Sequence, residues 1–193
     1  ALVDAATASF QSVIRGVGDP EPHATVWTTT TRTAERDGFV DRITIANGGR
    51  TAVAPRIELH LGSDLASLAG VRAGEVFPAI EARPSGTRTL VWSGSEGRMA
   101  VAVADPEPSR LGDGLVAWDL ELEPGASRSF TLHVRSGAPS EERAVAASGR
   151  FPLAIRYGDP DRQRHLDRSI SDLDALRLRI DGQEVVAAGA PWY

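Results

Sequence analysis

The stretch Phe39-Val40-Asp41-Arg42-Ile43-Thr44-Ile45, closed by Asn47-Gly48-Gly49, carries the pattern that decides the fold of this chain. Phe39, Asp41, Ile43 and Ile45 fall on one side of an extended backbone, and Val40, Arg42 and Thr44 fall on the other. A period of two is the signature of a half-buried strand, and Asn-Gly-Gly is turn chemistry. Beyond the turn, Ile57, Leu59 and Leu61 alternate with Arg56, Glu58 and His60. The two runs are expected to form an antiparallel pair with one wet face.

The same alternation recurs on both sides. Runs at Phe10 to Val17, His23 to Thr33, Thr87 to Ser93, Arg98 to Ala104, Leu115 to Leu122 and Arg128 to Arg135 bring the expected strands to about eight. Between them lie Ser93-Gly94-Ser95-Glu96-Gly97, Asp105-Pro106-Glu107-Pro108 and Glu123-Pro124-Gly125-Ala126, where glycine supplies positive φ and proline a fixed one. Many short strands at regular spacing indicate an all-β chain, an antiparallel β-sandwich or barrel. Met99, Val101 and Val103 alternate with Ala100, Ala102 and Ala104, so this strand is expected to be covered on both faces, which favours the sandwich.

The pattern changes after Tyr157. Asp159 can cap a helix whose first position is Pro160, with Asp161 in the positive first turn. Leu166, Ile170 and Leu173 then form an apolar stripe, and the helix is expected to end near Asp174 or Ala175. Leu176 to Ile180 and Gln183 to Ala187, joined by Asp181-Gly182, read as a β-hairpin. The expected organisation is a sandwich domain over residues 1–157 and a linker helix with hairpin over 158–193. The chain stops on Trp192-Tyr193, two large aromatics at a place where termini ordinarily fray, which suggests a domain cut from a longer protein.

Composition narrows the function. The 193 residues include no cysteine and no lysine; all 21 basic residues are arginine, against 26 acids, for a net charge of −5. Cysteine-based metal sites, thiol nucleophiles and disulfides are thereby excluded, and the acidic balance argues against nucleic acid as a partner. Apolar runs fall short of the roughly 20 residues of a membrane span, and Ala1 to Ala8 lack a secretory signal, so no membrane partner is expected. Nothing calls for a cofactor.

Chemistry-bearing motifs are sparse. There is no Gly-x-Ser-x-Gly elbow, phosphate-binding glycine loop or His-Glu-x-x-His pair. His23, His60, His133 and His165 are scattered; His60 and His133 could meet across strands, but a metal would need further ligands. Glycoside hydrolysis needs two carboxyl groups about 5–10 Å apart. Asp172 and Asp174 point to different sides of a helix, Glu121 and Glu123 read as a solvated strand end, and Asp64 reads as a turn or cap. Trp92 and Trp118 share strand faces with apolar residues and are expected in the core. Trp27 instead shares a face with Thr25, Thr29 and Thr31, where an exposed ring could stack on a sugar, unless it packs under a loop or a partner domain.

Several segments carry a family resemblance. Leu166-Asp167-Arg168-Ser169-Ile170-Ser171-Asp172-Leu173-Asp174-Ala175-Leu176-Arg177, followed by Val186-Ala187-Ala188-Gly189-Ala190-Pro191-Trp192-Tyr193, resembles the interdomain segment of bacterial glycogen-debranching enzymes, the amylo-α-1,6-glucosidase-like family. The loop Leu59 to Gly74 is similar to that family's Asp-Leu/Phe-Ala-Asp motif, and Leu115 to Pro124 to its later strand. Ser67 departs from the pattern, standing where the family often has a second aspartate, which leaves a turn role rather than a paired-carboxylate one. The resemblance implies a supersandwich-like, non-catalytic domain whose partner is its own (α/α)₆-barrel, absent here, with α-glucan bound by the full-length protein. It also implies that the acid and base lie downstream, and that Trp192 and Tyr193 border the substrate cleft.

Three readings follow: this non-catalytic domain of a glycoside hydrolase, a self-sufficient carbohydrate-binding module built on Trp27, or a purely structural interaction domain. The arginine-only, cysteine-free composition suits a cytoplasmic bacterial enzyme from a GC-rich genome.

Overall fold

The structure, a computed structural model, describes residues 6–20, 23–35, 37–137, 145–146, 155–180 and 183–186. Two compact units emerge, one over residues 8–139 and one over 140–193 with residues 2–7. In the second unit β11 (Val145–Ala146) pairs with β12 (Arg177–Ile180).

The first unit is the expected antiparallel sandwich. Its larger sheet has seven strands in the order β1-β2-β3-β10-β7-β6-β5. These are β1 (Thr7–Ile14), β2 (Val26–Glu35), β3 (Gly38–Asn47), β10 (Ser127–Gly137), β7 (Met99–Asp105), β6 (Thr89–Ser93) and β5 (Arg83–Pro84). The smaller sheet runs β4-β9-β8, from β4 (Arg56–His60), β9 (Leu115–Asp119) and β8 (Arg110–Gly112). Along β3 the alternation is realised: Asp41, Ile43, Ile45 and Asn47 are buried, while Arg42 is exposed. Phe130 and Leu132 of β10 sit opposite Ile43 and Asp41. The sheets share one core, in which the rings of Trp118 from β9 and Phe130 from β10 lie 4.8 Å apart. Trp92 and Trp118 are both buried, as their strand faces indicate.

Two expectations are corrected. β3 and β4 do not pair: β3 lies between β2 and β10, and β4 pairs with β9 in the other sheet. The reason is the course of the chain after Asn47. Val53 already bridges Leu122, so the segment crosses between layers instead of folding back as a hairpin. β7 is not covered on both faces either. Ala100, Ala102 and Ala104 are buried, whereas Met99 is 41% and Val103 36% exposed. The small residues face inward because Trp92, the cross-strand neighbour of Ala100, occupies that part of the core.

Buried Asp41 is neutralised by Arg32, whose Nε and Nη2 each donate to it at 2.7 Å while the guanidinium stacks 4.2 Å from the centre of the Phe39 ring. Fork geometry of this kind makes a strong charge-assisted pair. At the rim of the small sheet Arg56 Nε donates to Asp119 at 2.6 Å. That contact, aided by the Ser109 hydroxyl, holds the Asp119 carboxyl below its usual range.

In the second unit, α2 spans Pro160–Ala175, and the Asp159 side chain accepts from Asp161 N at 2.8 Å and Arg162 N at 3.3 Å. Proline at the first position and an acidic first turn complete the expected start. Leu166 and Ile170 are half-buried, and Leu173 is exposed. The hairpin is present: β12 pairs with β13 (Gln183–Val186), Ile180 opposite Gln183. Asp181-Gly182 lies outside the described residues.

Candidate functional site

The loop between β4 and the short helix α1 (Leu68–Ala73) forms the most organised irregular feature of the first unit. Ser63 Oγ accepts from Leu65 N at 3.2 Å, and Asp64 Oδ1 accepts from Ala66 N at 3.0 Å. Asp64 is thus the turn residue its setting suggested. Ser67 caps α1, its Oγ accepting from Gly70 N at 3.0 Å, and Gly74 closes the helix in the left-handed conformation. Leu65 has φ of +48°, a strained backbone for a branched side chain, and its carbonyl accepts from Arg98 Nη1 at 3.0 Å.

This loop walls two cavities. One, of about 290 Å³, is lined by Asp64, Leu65, Phe77, Ile80, Gly94 and Arg98 among others. The second, of about 410 Å³, lies where β4 ends, between Leu61, Ser63 and Leu65 on one side and Phe39, Trp92 and Val134 on the other. Exposed His60 and Ser136 also border it. Trp92 is only 4% exposed, yet its Nε1 has no hydrogen-bond partner among the described residues. Sequence reasoning missed Trp92 Nε1, Arg98 and the strain at Leu65. No local pattern reports a tertiary vacancy or a left-handed leucine.

Trp27 sits on the outer face of the large sheet and is 38% exposed. Its partner across β3 is Ala46, with Ser127 of β10 beyond it; two residues along the same face, opposite Thr29, Thr44 and Ser129 share a hydroxyl–hydroxyl bond of 2.8 Å. The indole lies directly over Gly48: a Cβ there would meet Trp27 Cη2 and Cζ3 at 2.6 Å. The turn beneath is clamped by Asp19, also missed from sequence because its partners are distant. Its carboxylate accepts from Arg50 N at 2.7 Å, Thr51 N at 3.2 Å and Thr51 Oγ1 at 2.7 Å, and its side chain is only 4% exposed. The Thr51 hydroxyl bond, then the Arg50 amide, hold this carboxyl below its ordinary 3.8.

The other candidates stand apart. His60 and His133 belong to different sheets, and no group of three or more His, Cys, Asp or Glu side chains that could hold a metal forms among the described residues. Asp172 pairs with Arg168 at 3.0 Å and Asp174 with Arg177 at 3.3 Å, while Glu121 and Glu123 are exposed. Trp192 and Tyr193 lie outside the described residues. Among the described residues no helix is long and apolar enough to cross a membrane.

A family model described as the N-terminal domain of (some) glycogen debranching enzymes matches residues 3–133. The chain belongs to this family. This debranching-enzyme N-terminal domain therefore carries the Leu59 to Gly74 loop inside the matched region, whereas α2 and the C-terminal motif lie beyond it. No curated protein matches the chain. Among solved structures it is similar to one titled "Putative kojibiose phosphorylase from human microbiome", with a TM-score of 0.46 and 12% identity. The similarity covers 67% of this chain and 17% of that chain.

Two outcomes test the site. Ser67→Ala should cost about 1 kcal/mol in urea unfolding, and Ser67→Asp should cost nothing measurable, because both serine and aspartate cap helices well. Asp19 contributes stability above its ordinary pKa that is lost as pH falls through its lowered folded value. The stability gap between wild type and Asp19→Asn should therefore be constant near neutrality and close below about pH 4. A gap that widens on acidification would contradict this.

Proposed function

We propose that this chain is the non-catalytic β-sandwich of an α-glucan glycoside hydrolase of the debranching type, packing on a catalytic barrel and helping to shape its substrate cleft. The observation that carries the reading is the family match over residues 3–133. The loop from Ser63 to Ser67 supports it, being an irregular element tied by its own turn and cap hydrogen bonds, of the kind that scaffolds offer to a neighbouring site. The proposed setting is the bacterial cytoplasm, and the proposed bond is an α-1,6 branch point.

The catalytic barrel encoded with this domain, expressed with and without residues 1–193, provides the test. Glucose release from glycogen or panose should require the barrel, should never come from this chain alone, and should fall at least tenfold when the sandwich is omitted. A barrel equally stable and active alone would refute the packing role.

A second reading is favoured by Trp27, which lies 38% exposed on the sheet face that also carries, two residues along the register, the Thr44–Ser129 hydroxyl pair. In it, the outer sheet face stacks a glucose ring on the indole. Maltooligosaccharides at millimolar concentration should then change tryptophan fluorescence in wild type and not in Trp27→Ala. An unchanged wild-type spectrum would remove this reading.

A further inference from the structure

Of the two cavities beside Leu65, the smaller carries the more varied chemistry. Three segments of chain build it, and hydrogen bonds tie them together. Ile80 N donates to the Ser63 carbonyl at 2.9 Å, Arg98 Nη1 donates to the Leu65 carbonyl at 3.0 Å, and Gly94 N closes the third segment by donating to the Arg98 carbonyl at 2.9 Å. Leu65 and Ile80 approach Gly94 closely enough that a Cβ there would meet their Cδ1 atoms at 3.1 and 3.4 Å, which gives the cavity an apolar side. Phe77, half-buried, adds an aromatic wall and lies against Gly70, where a Cβ would meet its Cζ at 2.3 Å. The polar lining comes from Asp64, Arg98 and two exposed serines, Ser93 and Ser95.

We infer that this cavity is a seat for one pyranose ring, a free monosaccharide or the end unit of an oligosaccharide. The state of the two charged groups selects the ligand. Arg98 has Nη1 committed to Leu65 and Nε buried, so its fork cannot close on a carboxylate or phosphate in the two-point manner that makes such pairs strong. What it offers is Nη2, which holds Ser95 Oγ at 3.5 Å, a long bond that a ligand hydroxyl can replace. Asp64 uses Oδ1 on Ala66 N, and its other oxygen carries no bond among the described residues. One donor and one acceptor, each able to make a single contact, suit hydroxyl groups, which both donate and accept. A lone carboxylate is too little for a metal ion, and charges of opposite sign favour a neutral ligand over an anion. The apolar face of a pyranose can then lie against Leu65, Phe77 and Ile80. A volume of about 290 Å³, at the small end of the range of about 300–1,000 Å³ usual for ligand sites, holds one ring and not a chain. The seat goes beyond the proposed packing role and needs no barrel.

The test is a ¹H–¹⁵N titration of the full chain with D-glucose, with maltose and with glycine, the last supplying a small carboxylate. Sugar should move the backbone amide signals of Leu65, Gly94 and Arg98 together, saturating in the millimolar range expected of a ligand of one ring. Glycine should leave them in place. A response to maltose alone supports the seat and assigns it the end unit of a chain; a response to both sugars admits the free monosaccharide. Asp64→Asn keeps the turn, because asparagine bonds its backbone in the same way, and should weaken sugar binding about tenfold, the worth of one charge-assisted hydrogen bond. Phe77→Ala should abolish saturation, with urea unfolding showing that the variant is folded. Trp27→Ala should bind as wild type does, which separates the cavity from the outer sheet face. Signals unmoved by either sugar, a response to glycine alone, a response lost in Trp27→Ala, or Asp64→Asn binding as tightly as wild type would each overturn the inference. The barrel experiment has no bearing on these outcomes, so either result can fail without the other.

Discussion

The side chain of Asn47 ties the layers of this sandwich together. It is 1% exposed, and its Nδ2 donates to the carbonyls of Thr51 and Leu122 while Oδ1 accepts from Gly49 N. Its own backbone bonds to Ala126 and Gly125. One residue therefore joins the end of β3, the turn that leaves it and the bridge residue Leu122 through its side chain, and the turn that opens β10 through its backbone. A buried amide costs free energy unless its donors and acceptor are used, so this position accepts few substitutes. The crossing of the chain from one sheet to the other, on which the core around Trp118 and Phe130 depends, follows from that network.

Much of this was legible locally. The alternation along β3, the burial of Trp92 and Trp118, and the Asp159-Pro160 start of α2 each depend on residues within a few positions of one another. The pairing of strands did not follow in the same way. β3 takes β10 as its neighbour, more than 80 positions away in register (Ile43 opposite Phe130), where a turn signal suggested β4. The inward face of β7 was also hidden, because alanine and valine are both apolar and only the bulk of Trp92 decides which side is covered.

The candidate sites divide along the same line. Asp64 and Ser67 act as turn and cap through near neighbours, and the sequence points to those roles. The clefts on either side of Leu65 arise from residues scattered between Phe39 and Ser136, and only the folded chain assembles them. The sheets are an architecture that many unrelated proteins share, whereas the loop from Ser63 to Ser67 and the clefts beside it are particular to this chain's side chains.

Trp27 and Gly48 illustrate a different kind of dependence. The indole occupies the space in which any side chain at position 48 would begin. The dependence runs one way: an alanine at 48 has to displace the far edge of the Trp27 ring, whereas a smaller residue at 27 leaves Gly48 undisturbed. Across descendants of this sequence a side chain at 48 should therefore be found chiefly where the ring at 27 has already gone, so position 48 keeps a record of whether the aromatic surface was retained.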